Sequence, residues 1–77
     1  MDETEKRQFL EDLAELEHIQ WMAWSMHLAK TETLSQDKLD RWKEYWKEYD
    51  ELTESQKEAD RVYARRVIQI VGRYIGK

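Results

Sequence analysis

The chain has 77 residues, of which 40% are hydrophobic and 39% are charged, and its formal net charge is −4. A chain of this length forms one small domain, because it buries only about 60% of the surface that its unfolded state exposes. Four tryptophans, four tyrosines and one phenylalanine exclude a solvated, disordered chain. The lack of cysteine excludes disulfides and thiolate metal sites, and a reducing cytoplasm is the expected location.

The first predicted helix is long, because the apolar spacing is helical and no proline interrupts it. It can begin at Asp2, whose carboxylate forms an Asp variant of the capping box with Glu5. The predicted break is Thr31-Glu32-Thr33. The apolar stripe comprises Phe9, Leu10, Leu13, Leu16, Ile19, Ala23 and Met26, and it widens through Trp21, Trp24 and Leu28.

Two further helices are predicted after this break. Ser35 is the expected N-cap of the second. Thr53-Glu54-Ser55-Gln56 is typical of a capping box for the third, which should end near Gly72. The second helix carries the apolar stripe Leu39, Trp42, Trp46 and Tyr49, with Tyr45 at its margin. The third should direct inward Ala59, Val62, Tyr63, Val67, Ile70, Val71 and Tyr74.

The predicted fold class is therefore all-α: a three-helix small domain with a long first helix. It occupies residues 6–72, between an N-terminal tail at residues 1–5 and a C-terminal tail at residues 73–77. Four tryptophans would leave little room for the aliphatic residues of three short helices, so at least one should lie between chains. We therefore expect a homo-oligomer. No apolar run is long enough for a membrane span, and no membrane partner is expected.

Catalytic and metal-binding patterns are absent from the sequence. His18 and His27 are nine residues apart on the same predicted helix, so they point to different turns and cannot share a metal ion. No serine lies in a nucleophile elbow, and the two glycines, Gly72 and Gly76, cannot form a phosphate loop. We expect a protein that is not an enzyme, with no cofactor, no bound metal and no catalytic residue.

Aromatic residues supply the first set of candidate binding residues. His18 and Trp21 are three residues apart, so their rings should stack along one helix face. Two interpretations remain open: a core tryptophan beside a histidine that bonds a backbone carbonyl, or a pocket wall for a purine-like ring, to which Trp24 also belongs. Trp42, Trp46 and Tyr49 are expected in the core or at the interface between chains.

Arginines supply the second set. Residues 1–33 carry more acids than bases, whereas residues 54–77 carry more bases than acids. The overall acidic charge argues against general nucleic-acid binding. Arg61 and Arg65 are four residues apart and could hold a small anion, because guanidinium groups bind phosphate through two hydrogen bonds. The alternative is a solvated face on which they pair with acids such as Glu58.

Three stretches carry a resemblance to a known family. They are Leu13-Ala14-Glu15-Leu16-Glu17-His18-Ile19-Gln20-Trp21, Tyr49-Asp50-Glu51-Leu52-Thr53-Glu54-Ser55-Gln56-Lys57 and Ala59-Asp60-Arg61-Val62-Tyr63-Ala64-Arg65. In this order they resemble the ryanodine-receptor-type repeat, a small helical module of ryanodine receptors that also occurs as single-copy bacterial and phage proteins. The family usually has a Gly-Trp-x-x-Gly turn after the first helix, whereas residues 25–30 should continue as helix here.

For prokaryotic members, the resemblance implies recognition of nucleotide-derived signals in antiviral defence. A phage protein of this kind would sequester such a signal in the host cytoplasm. The leading hypothesis is a non-catalytic module that binds a small nucleotide-like anion, with the base on Trp21 or Trp24, His18 at the pocket edge, and the phosphates on Arg61 and Arg65. The alternative is a protein–protein interaction module that forms a homo-oligomer or docks on a host protein.

Overall fold

The computed structural model describes residues 1–75, which form an all-α domain with a long first helix, as the sequence predicts. The helices are α1 (Glu3–Thr31), α2 (Gln36–Lys43) and α3 (Glu54–Ile75), and a short 3-10 helix (Tyr49–Glu51) precedes α3. At about 1.5 Å per residue, the 29 residues of α1 reach most of the 47 Å length of the molecule. The first helix is therefore the support on which the other elements lie.

The N-terminus of α1 confirms the predicted capping box. The Asp2 carboxylate accepts a 2.8 Å hydrogen bond from the backbone N–H of Glu5, and the Glu5 carboxylate accepts one from the backbone N–H of Asp2. Because this cap starts the helix at once, Glu3–Glu5 are helical, unlike the tail predicted at residues 1–5. At the other end, residues 25–30 continue as helix, as expected.

The second helix is shorter than the sequence predicts. Ser35 is its N-cap, as expected, and its Oγ accepts from the backbone N–H of Lys38. The helix ends at Lys43, however, so the prediction that one helix carries Trp42, Trp46 and Tyr49 is wrong. A turn and the 3-10 helix follow, and the Lys47 carbonyl in this turn accepts a hydrogen bond from a side chain of α1.

The third helix starts as predicted and ends later. Thr53 and Gln56 exchange backbone-to-side-chain hydrogen bonds of 3.0 and 3.2 Å, which confirms the capping box. The helix passes through Gly72, which has no positive φ of the kind that would end it, and residues 73–75 are helical rather than part of a tail. Residues 76–77 of the predicted tail lie outside the described residues.

The core is small and lies where α1 meets α3. Ala14 and Ala64 are both 0% exposed, so the two helices approach closely at these small residues. Tyr49 and Leu52, in and just after the 3-10 helix, complete the buried cluster, and Leu10 packs against it together with Leu13. The inter-helix contact therefore depends on short side chains rather than on the tryptophans.

The face that α3 turns inward differs from the prediction. Tyr63 is 62% exposed and Ile70 is 51% exposed, while Val67 and Val71 are only half-buried. The helix is rotated because it directs Ala64 into the core and two polar side chains toward partners on α1. The residues predicted to point inward that are exposed instead are Ala59, Val62, Tyr63, Ile70 and Tyr74. Similarly exposed on α1 are Leu16, Ile19, Ala23 and Met26.

Among residues 1–75, no helix combines the length and the apolar character that crossing a bilayer requires.

The close approach of α1 and α3 predicts a size limit at Ala64. Ala64→Leu should lower the free energy of unfolding by about 1–3 kcal/mol, because the added carbons must displace packed neighbours. Ala59→Leu is the matched control on the same helix. Ala59 is exposed, so its substitution should change stability by only about 0.5 kcal/mol. Urea denaturation followed by tryptophan fluorescence measures both, and equal losses would contradict this account of the core.

Candidate functional site

His18 joins three segments of the chain. Its side chain is 2% exposed, and Nε2 lies 2.7 Å from the carbonyl oxygen of Lys47, in the turn after α2. Since a carbonyl only accepts, Nε2 carries the proton and donates. The other ring nitrogen, Nδ1, lies 3.7 Å from a carboxylate oxygen of Asp60 on α3. The interpretation of His18 as a histidine that bonds a backbone carbonyl is therefore the one that the structure shows.

Asp60 is the acidic partner in this arrangement. Its side chain is 19% exposed. Burial raises the pKa of the Asp60 carboxyl above its ordinary value of 3.8; the nearby His18 lowers it by a smaller amount, and Glu17 raises it further. His18 is its one ion-pair partner within the part of the chain that the structure describes. A desolvated carboxylate without a lysine or arginine partner is unusual, because buried charges are normally paired.

An open groove of about 340 Å³ begins at His18 and Asp60. The His18 and Trp21 rings stack at 6.2 Å with 20° between their planes, as their spacing predicts. Trp42 and Tyr45 meet the Trp21 ring edge-on, at 5.9 and 5.8 Å and at angles of 76° and 69°. The walls therefore present aromatic surfaces in crossed orientations. The full lining is His18, Trp21, Trp42, Tyr45, Gln56, Ala59, Asp60 and Tyr63.

The remaining tryptophans lie away from the groove lining. Trp24, predicted as a base-stacking residue, is 55% exposed and leans against Trp42 at 5.7 Å between ring centroids. Trp46 is half-buried and donates a 2.9 Å hydrogen bond from Nε1 to the hydroxyl of Ser25, which is fully buried in α1. Of the two predicted tryptophan walls, only Trp21 lines the groove.

Arg61 lies in a different cleft, where it binds Glu11. Its Nε is 2.8 Å from one carboxylate oxygen of Glu11, and the same carboxylate accepts the hydroxyl of Tyr49. Burial tends to raise the pKa of Glu11, but these two hydrogen bonds and the positive charge of Arg61 outweigh it, so the pKa falls below 4.5. Burial and the Glu11 hydrogen bond raise the pKa of Tyr49, whose phenol therefore stays protonated. A further Arg61 nitrogen is 3.0 Å from Glu54.

The arginines are therefore engaged by acids, which is the alternative that the sequence left open. Arg65 forms two hydrogen bonds with Glu58, and both side chains are about half exposed. The cleft beside Arg61 contains two cationic side chains but five carboxylates, those of Glu11, Asp12, Glu15, Asp50 and Glu54. A phosphate on Arg61 would have to displace Glu11 and Glu54 from its guanidinium group. The structure does not bring Arg61 and Arg65 to His18 and Trp21.

The three residues predicted at an interface pack within the chain. Tyr49 is 5% exposed and takes the core alternative rather than the interface: its ring completes the core and its hydroxyl binds Glu11. Trp42 and Trp46 are half-buried and contact aromatic or polar side chains of α1. The core interpretation thus holds for Tyr49, while Trp42 is a groove wall.

Sequence analysis missed several residues that define the two clefts. Asp60 and Gln56 line the groove beside Ala59 and Tyr63, but they are polar, so the apolar pattern did not indicate them. The role of Glu11 could not be predicted either, because it is one of many acids in α1 and nothing in the sequence distinguishes it from the others. The local excess of arginine near Arg61 could have indicated an acidic partner on another helix.

Comparison of the chain with family models, with curated proteins and with solved structures found no match. The resemblance to the ryanodine-receptor-type repeat therefore stays a prediction.

The two histidines of α1 provide a matched test of the His18 contact. His18→Ala should lower the free energy of unfolding by about 1–3 kcal/mol through the unpaired Lys47 carbonyl alone, since a protein acceptor without a partner is costly. His27 is exposed on the same helix, so His27→Ala should change stability by only about 0.5 kcal/mol. Chemical denaturation measures both variants. Similar small losses in the two would mean that His18 does not hold the turn.

Proposed function

We propose that this protein is a non-catalytic binding module whose groove takes the flat ring of a nucleotide-derived molecule. The observation that supports this proposal most directly is the set of aromatic walls formed by Trp21, Trp42 and Tyr45 beside a hydrogen-bonding edge at Asp60. Stacking on an aromatic side chain contributes about 1–3 kcal/mol per base. The volume of about 340 Å³ lies within the range of about 300–1,000 Å³ typical of ligand pockets.

The ring, rather than the phosphate, would supply the affinity. Arg61 and Arg65, the expected phosphate ligands, are bound to carboxylates outside the groove. No lysine or arginine belongs to the described lining of the groove. The biological role that the family resemblance implies, sequestration of an antiviral nucleotide signal by a phage protein, would therefore use this groove for the base and leave the phosphates in solvent.

A neighbouring pair of residues on α3 tests the groove. Tyr63 lines it and is 62% exposed, whereas Val62 is exposed and lies outside it. Tyr63→Ala should weaken the binding of adenosine by about 1–3 kcal/mol through lost stacking, and Val62→Ala should not. Both residues contribute little to the core, so both variants should fold. Isothermal titration with adenosine and with adenosine monophosphate is the measurement.

The titration with adenosine monophosphate tests whether the arginines bind phosphate. Adenosine and adenosine monophosphate should bind with nearly equal affinity, and Arg65→Ala should leave both unchanged. A mononucleotide that binds much more tightly, and that loses this advantage in Arg65→Ala, would restore the arginines as phosphate ligands. A groove that binds no nucleoside, in a protein that releases no small molecule on heat denaturation, would contradict the proposed function.

A second function, self-association, is favoured by the exposed apolar side chains. Tyr63, Ile70 and Tyr74 are spaced by seven and four residues, so they share one face of α3. Each is more than half exposed. Large apolar side chains that are exposed on one face of a helix are a feature of interaction sites. A second copy of the chain is the partner that we propose for this face, which would make the protein a homo-oligomer.

Adjacent substitutions on α3 test self-association. Ile70→Glu places a charge on the proposed contact face and should shift the protein toward monomer, because burial of an unpaired carboxylate is costly. Gln69→Glu adds the same charge at an exposed polar neighbour and should leave the assembly unchanged. Sedimentation velocity at micromolar concentrations measures both. A wild-type protein that is purely monomeric would remove this second function and leave ring binding unaffected.

A further inference from the structure

The electrostatics of the groove indicate which kind of ring it accepts. Asp60 is the one formally charged residue of its described lining, apart from any charge on His18. Glu17 lies near enough to Asp60 to raise the pKa of its carboxyl. An anionic ring would meet a carboxylate in a partly desolvated place, whereas a cationic ring would place a positive charge beside Asp60, whose ion-pair partner in the described lining is the His18 imidazole.

The aromatic walls add to this preference. The faces of tryptophan and tyrosine rings carry negative electrostatic potential and attract cations positioned within about 6 Å of the centroid. The protein already uses the Trp42 ring in this way, because the ammonium of Lys38 lies 5.5 Å from its centroid. Lys38 is not part of the groove lining.

The crossed orientation of the walls suits a flat cation rather than a spherical one. Trp42 and Tyr45 stand at 76° and 69° to Trp21, so a ring that stacks on one wall directs its edge toward another. A planar ring can therefore place its charge over an aromatic face while its edge donates hydrogen bonds to Asp60. A tetraalkylammonium group would gain the first contact and could not make the second.

We infer that the groove between Trp21, Trp42 and Asp60 selects positively charged nitrogen heterocycles, such as a purine or pyridine ring alkylated at a ring nitrogen. This inference rests on the proposed function, since it names the class of ring that the groove would bind. The alkyl group converts a neutral ring into a cation without changing its planarity. Asp60 supplies the opposite charge, and the aromatic faces supply the surface on which the ring stacks.

Pairs of ligands that differ by one methyl group test the inference on the unmodified protein. Adenosine is compared with 1-methyladenosine, and nicotinamide with 1-methylnicotinamide, by isothermal titration at neutral pH. The methylated, cationic member of each pair should bind roughly five- to thirtyfold more tightly, the range that cation–π contacts supply in partly desolvated sites. The second pair shows whether the preference follows the charge or the altered hydrogen-bonding edge of the purine.

An isosteric variant then assigns the preference to Asp60. Asp60→Asn should reduce the preference by roughly two- to fivefold, the range for a partly exposed ion pair, while the share that the aromatic faces supply remains. Asp40 is exposed on α2 and outside the groove, so Asp40→Asn is the matched control and should retain the full preference. Circular dichroism confirms that each variant folds.

The outcomes separate this inference from the proposed function. Equal binding of neutral and cationic members would overturn the charge selectivity and leave ring binding intact. A preference that is undiminished in Asp60→Asn would overturn the role of the carboxylate. If no ligand of either pair binds, the proposed function and the inference both fail.

Discussion

The arrangement of this small domain depends on His18. One imidazole holds the turn after α2 through Nε2 and faces α3 through Nδ1, and it is almost completely buried. A chain of this size has few residues to commit to a core, so a polar contact that joins three segments replaces part of the missing apolar packing. Without it, the Lys47 carbonyl would lose the side-chain donor that holds the turn against α1.

The same residue explains why a groove exists beside the core. Because His18 stacks on Trp21 and approaches Asp60, it fixes one wall and the charged edge together. The turn that it holds carries Tyr45 and follows Trp42, and these complete the aromatic walls. Sequence analysis treated His18 as a possible ligand contact. In the structure it mainly positions Trp21, Tyr45 and Asp60, the residues that would contact a ligand.

The arginine cluster and the aromatic groove are separate sites that differ in charge. The arginine cluster is neutralised by Glu11, Glu54 and Glu58, which lie within 2.5–3.7 Å of its guanidinium groups. The aromatic groove instead contains a carboxylate without an arginine. Carboxylates outnumber cations in the cleft beside Arg61, and the described lining of the groove has no lysine or arginine. For this physical reason we propose ring recognition and not phosphate recognition.

Exposed apolar residues show the limit of what one chain of this size can bury. Trp24, Tyr63 and Ile70 are more than half exposed, although the periodicity of the sequence gives two of them inward positions. Helices α1 and α3 meet through Ala14 and Ala64, and such a narrow contact cannot cover the wide apolar stripes on both helices. The surplus apolar surface is available to a partner or a ligand.

The sequence by itself determined the features that depend on near neighbours. The helix starts at Asp2, Ser35 and Thr53 were predictable because each cap joins residues three apart. The stacking of His18 on Trp21 was predictable for the same reason. Helical periodicity likewise predicted the all-α class.

Only the tertiary structure decided the rotation of α3, the end of α2 at Lys43 and the partners of the arginines. The decisive contacts join residues far apart in sequence: 29 positions separate His18 from Lys47, and 50 separate Glu11 from Arg61. A pattern of apolar residues does not reveal which of many acids an arginine will meet. It also favoured burial of tyrosine and isoleucine on α3, whereas close packing at Ala64 turned Asp60 and Arg61 toward α1 instead. The composition of the groove followed from that rotation.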